Sequence, residues 1–119
     1  MVDDYTTIRK KLCSILEKFS SKIVEASNGV EALEILRREQ FDIVFTDIVM
    51  PEMDGFELCY EIRKTPTFFD LPIIAVSTHC DAAYIVKALR QGASDYIPKP
   101  ADPQVVEKVL KRVFFKLPV

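Results

Sequence analysis

Five polar residues stand where apolar runs end. Asp3 and Asp4 follow Val2, and Asp47 follows Ile43-Val44-Phe45-Thr46. Ser77 follows Ile73-Ile74-Ala75-Val76, and Lys99 comes just after Tyr96-Ile97-Pro98. Brought together, three carboxylates, a hydroxyl and an amine make a chemically capable set. Clustered carboxylates repel, and one stays protonated unless a cation intervenes. An oxygen-rich cluster of that kind suits Mg²⁺. With two carboxylates on the metal, the third can attack a phosphoryl group and form an aspartyl phosphate. The metal and a lysine would offset charge on the phosphoryl oxygens, and a hydroxyl could hydrogen-bond the product. Each residue alone has a plainer reading: Asp3 and Asp4 as solvated terminal residues, Asp47 as a loop cap, Ser77 as a strand-end hydroxyl, Lys99 as a surface charge. Their shared placement at strand ends carries the argument.

That placement depends on the elements around them. Helical and strand patterns alternate along the chain. Helical spacing covers 7–19, 30–38, 56–64, 81–91 and 103–115, and strand candidates cover 22–26, 43–46, 71–77 and 94–97. Met1-Val2 reads as the tail of a further strand. Asn28-Gly29 is expected to turn the chain, Gly92 to end a helix, and Asp102-Pro103 to begin one. Strands alternating with helices imply βαβ units and a parallel sheet. Strands buried on both faces are continuously apolar, as Ile43-Val44-Phe45 and Ile73-Ile74-Ala75-Val76 are. The carboxyl ends of parallel strands share one edge, where ligands bind. An unpaired buried carboxylate is costly, so Asp47 is expected at that rim.

Bulk properties exclude other classes. The 119 residues suit one domain. They are 49% hydrophobic and 29% charged with net charge −2, and no basic stripe suggests direct nucleic-acid binding. No apolar run approaches the roughly 20 residues of a membrane span. Cys13, Cys59 and Cys80 are odd in number and far apart, so reduced thiols and a cytoplasmic location are expected. His79 beside Cys80 supplies too few ligands for zinc.

In this order and spacing, the chain resembles the receiver domain of two-component response regulators over essentially all its length. The segments that carry the resemblance are Val2-Asp3-Asp4, Ala26-Ser27-Asn28-Gly29-Val30-Glu31-Ala32-Leu33, Asp47-Ile48-Val49-Met50-Pro51-Glu52-Met53-Asp54-Gly55, Pro72 to Ser77, and Gly92 to Pro100. The resemblance implies an α/β fold: a flavodoxin-like (βα)5 doubly wound parallel sheet in strand order 2-1-3-4-5, with 1–119 a single receiver domain and no output domain in this chain. It implies Asp47 as phosphoacceptor, Ser77 as switch hydroxyl, Tyr96 as switch aromatic and Lys99 as the phosphate-binding lysine. It also implies Mg²⁺ held by Asp4, Asp47 and the backbone carbonyl of Val49, with Asp3 in support. Two departures stand out. Only Met1 and Val2 precede the acidic pair, so the first strand is expected to be short, and Thr78 occupies a position where the family commonly has a small residue.

The function so implied is a phosphorylation-controlled signalling switch. A histidine kinase or phosphotransfer protein donates to Asp47, and the 82–115 face then changes its preference for a downstream output domain or protein, or for a second copy in a homodimer. Such a protein at most catalyses its own aspartyl phosphorylation and dephosphorylation; it is not a metabolic enzyme. A Mg²⁺-dependent phosphatase would need an acid/base Asp where Val49 stands. A flavin module would need a phosphate loop where Asp4-Tyr5-Thr6-Thr7 stands. A degenerate, unphosphorylated receiver acting as a protein-interaction module is the alternative.

Overall fold

The computed structural model describes residues 1–2, 10, 13–17, 24–48, 50, 53–68, 70–78, 81–99 and 101–114. In chain order the elements are α1 (Gly29–Arg38), β1 (Val44–Asp47), α2 (Gly55–Lys64), a 3-10 turn (Pro66–Phe68), β2 (Ile73–Ser77), α3 (Ala82–Arg90), β3 (Asp95–Pro98) and α4 (Pro103–Phe114). Residues 13–16 are also helical.

Short polar side chains start the helices. Asn28 Oδ1 accepts from the Glu31 N–H at 2.9 Å, while Glu31 Oε2 accepts from Ser27 Oγ at 2.7 Å. The first bond satisfies an amide that no helical turn can reach, and the second ties Ser27 to the first turn. This capping also corrects one expectation: Asn28-Gly29 is the cap and first residue of α1, not a separate turn. Asp54 and Asp81 cap α2 and α3 in the same manner. Gly92, at φ 111, ends α3 in the left-handed region where a side chain would be strained.

The three strands pair in the order β1-β2-β3, all parallel, with Asp47 opposite Val76 and Ser77 opposite Pro98. Beyond β1, Val2 forms single parallel bridges to Thr46 on one side and Ala26 on the other. Five full strands in the order 2-1-3-4-5 are therefore more than the described residues contain. Residues 22 and 23 of the expected second strand lie outside them.

Both sheet faces are covered. Val44, Ile73 and Ala75 pack with Ala32, Leu33 and Leu36 of α1, with Leu58, Cys59 and Ile62 of α2, and with Ala88 of α3. Phe45, Ile74, Val76 and Ile97 pack with Ile15, Leu16, Val106 and Val109. Successive strand residues point to opposite faces, so every position of β1 and β2 is buried. This accounts for their unbroken apolar sequence.

Candidate functional site

A parallel sheet brings the carboxyl ends of its strands to one edge. Asp47 is the last residue of β1, Ser77 is the last of β2, and Lys99 follows the end of β3. The Lys99 N–H donates to the Ser77 carbonyl at 2.9 Å, extending the ladder past Pro98 and fixing where the lysine leaves the sheet. Its ammonium Nζ lies 3.3 Å from Asp47 Oδ2, and the two side chains are only 8% and 7% exposed. Ser77 is fully buried beside them.

The second carboxylate oxygen of Asp47 is also held. Oδ1 accepts from the Ile48 N–H at 2.8 Å. The Asp47 N–H donates to the Val2 carbonyl at 2.8 Å, which binds β1 to the chain just before Asp3. Gly55 closes the loop: its N–H donates to the Ile48 carbonyl at 2.7 Å, and a Cβ there would collide with the Asp47 carbonyl oxygen. Only glycine permits that approach.

Tyr96 lies opposite Ala75 in the β2–β3 register, one pleat repeat before the Ser77–Pro98 pair. It is half-buried against the core cluster that holds Ala75. Of the expected site residues, the structure thus brings together Asp47, Ser77 and Lys99 and sets Tyr96 beneath them. Asp3, Asp4 and Val49 lie outside the described residues, as do His79 and Cys80. Among the described residues, no three His, Cys, Asp or Glu side chains are grouped to hold a metal. Cys59, buried in α2, is a poor nucleophile: burial pushes its thiol up to about 11, against the partial pull of Arg63.

Two contributors escaped the sequence reading. The Ile48 amide carries no side-chain signal. Thr46 did carry one, as a hydroxyl inside a strand buried on both faces.

Similarity to known proteins agrees with this arrangement. The family model described as the response regulator receiver domain matches residues 1–111. The probable transcriptional regulator ycf27 of Guillardia theta is 40% identical over 113 residues, covering 95% of this chain but 43% of the regulator. The chain therefore spans less than half of that relative's length. A chemotaxis protein CheY homolog of Campylobacter jejuni is 37% identical over 115 residues, covering 95% of this chain and 88% of the homolog. Among solved structures, chemotaxis protein CheY4 of Vibrio cholerae superimposes with a TM-score of 0.88 at 29% identity, covering 95% of this chain and 94% of that one. The fold is the flavodoxin-like receiver fold, and the chain belongs to the family of response regulator receiver domains.

Proposed function

We propose that residues 1–119 form a single receiver domain that switches by phosphorylation of Asp47, with a histidine kinase or phosphotransfer protein as donor. The observation that supports this most directly is the buried Asp47–Lys99 pair at the carboxyl edge of the sheet. An Asp47 carboxylate oxygen attacks the phosphorus of a phosphohistidine. A P–O bond forms, the P–N bond breaks, and the imidazole leaves. Lys99, now on Oδ2, is near enough to follow the negative charge onto the new phosphoryl oxygens. The Ser77 hydroxyl turns toward that group, and Tyr96 takes up the space released.

The donor chemistry fits a hard cation. Asp4, Asp47 and the Val49 carbonyl would hold Mg²⁺, with Asp3 in support, and the ion would neutralise charge developing on the transferring group. Adding the phosphoryl charge biases a population between two states rather than creating a new one. The readout surface is the 82–115 face, where α3 buries only Ala88 and exposes Val86 and Leu89. Its partner is an output domain or protein, or a second copy of the chain. No helix of the described residues is long and apolar enough to cross a membrane, and a cytoplasmic location suits the reading.

The test is intact mass after incubation with acetyl phosphate and Mg²⁺, with Asp47→Asn alongside. One phosphoryl group on the wild type and none on the variant is the expected result. No adduct on folded wild type would leave the unphosphorylated interaction module as the reading.

A further inference from the structure

Thr46 is wholly buried, and a buried hydroxyl needs a partner. Its Oγ1 donates to the Asp47 carbonyl oxygen at 2.9 Å. That carbonyl is one side of the peptide joining Asp47 to Ile48. The other side, the Ile48 N–H, donates to Asp47 Oδ1 at 2.8 Å. A peptide unit is planar, and in the trans form its C=O and N–H point in opposite directions. Any rotation that swings the carbonyl therefore swings the amide by the same angle. Gly55 bounds the carbonyl on one side, because no Cβ fits between them.

We propose that Thr46 is a positioning residue that sets the orientation of the Asp47 carboxylate through the Asp47–Ile48 peptide. The hydroxyl holds the carbonyl, planarity holds the amide, and the amide holds Oδ1. Oδ2 is then turned toward Lys99 Nζ, 3.3 Å away. The consequence for reaction rate rests on Asp47 being the phosphoryl acceptor, whereas the geometric linkage stands without it.

Two substitutions separate donor from shape. Thr46→Val keeps the branched side chain and removes the hydroxyl, while Thr46→Ser keeps the hydroxyl and removes the methyl. The first readout is amide hydrogen exchange at Ile48. In Thr46→Val its protection falls roughly three- to tenfold, the range set by one hydrogen bond. Val44, whose N–H donates to the Pro72 carbonyl at 2.9 Å, stays unchanged. Thr46→Ser retains wild-type protection. The second readout is the rate of phosphorylation across a range of acetyl phosphate concentrations with Mg²⁺. The maximal rate falls by a similar factor in Thr46→Val, with the half-saturating concentration unchanged, and Thr46→Ser restores it.

Wild-type exchange and rate in Thr46→Val would overturn the proposal. So would equal loss in Thr46→Ser, which would make the methyl the active part. If Thr46→Val fails to fold, Thr46→Ala takes its place, and a wild-type Ile48 amide exchanging as fast as an open loop overturns the linkage without any variant. If wild type accepts no phosphoryl group, the acceptor reading fails while the Ile48 exchange still decides the role of Thr46.

Discussion

Asp47 and Lys99 bring two nearly buried charges to within 3.3 Å of each other. Withdrawing both from water is costly, and their attraction repays that cost only while both remain. The pair is thus poor evidence for stability and good evidence for a site that keeps a carboxylate and an ammonium at a fixed spacing. Cys59 shows the opposite use of burial. Its thiol is raised from 9.0 to about 11, chiefly by burial. The fold therefore favours the neutral thiol. The stability this provides is complete below the ordinary thiol value and is lost as pH rises through the folded one. The stability difference between wild type and Cys59→Ala should shrink by about 1.4 kcal/mol per pH unit over that window. Urea unfolding of both proteins across pH 9 to 11 measures it. A constant difference would mean the thiol ionises as readily in the fold as in the open chain.

At the scale of elements, the edge opposite the candidate site is tied together by Arg63 near the end of α2. Its Nε donates to the Gly92 carbonyl at 2.9 Å and its Nη1 to the Phe68 carbonyl at 3.0 Å, while Nη2 reaches Ser94 Oγ at 3.3 Å. One planar fork thus joins α2, the 3-10 turn and the loop entering β3, and Ser94 returns its own N–H to the Ile73 carbonyl at 2.7 Å. Gly92 leaves room for the arginine, since a Cβ there would strike the Arg63 Cγ. Arg63→Met should cost about 1–3 kcal/mol, as two half-buried carbonyls lose a charged donor. Arg63→Lys should recover little of it, because an ammonium cannot reproduce the fork. Chemical denaturation of the two variants checks both statements, and full recovery by lysine would reduce the contact to simple charge.

For the molecule as a whole, the two covered faces bury every residue of β1 and β2, while Asp47, Ser77 and Lys99 come to their shared edge from the ends of three strands. Val2 extends this arrangement by bridging Thr46 and Ala26, and its carbonyl accepts the Asp47 N–H. The chain proceeds directly from there to Asp3 and Asp4. If these carboxylates join Asp47 around Mg²⁺, the ion binds only the folded protein. Magnesium at about a hundred times its Kd should then add about 2.7 kcal/mol to stability. Asp47→Asn should lose most of that gain. Unfolding midpoints with Mg²⁺ and with a chelator measure the effect, and equal midpoints for wild type would mean that no metal site assembles.

The sequence by itself determined the alternation of elements, because two-sided burial demands apolar runs such as Ile73-Ile74-Ala75-Val76, and Asp102-Pro103 has the chemistry of a helix start. It also placed Asp47, Ser77 and Lys99 at strand ends, since a polar residue closing an apolar run marks the rim of a sheet. What it left undecided was whatever depends on pairing between distant segments. Strand register sets Ser77 opposite Pro98 and brings Lys99 onto the Asp47 oxygen. Backbone groups such as the Ile48 amide leave no trace in residue identity, and the direction of the Thr46 hydroxyl follows only from the packed strand. Local chemistry is written in residue types, whereas the distances that turn it into a site arise only when the sheet closes its hydrogen bonds.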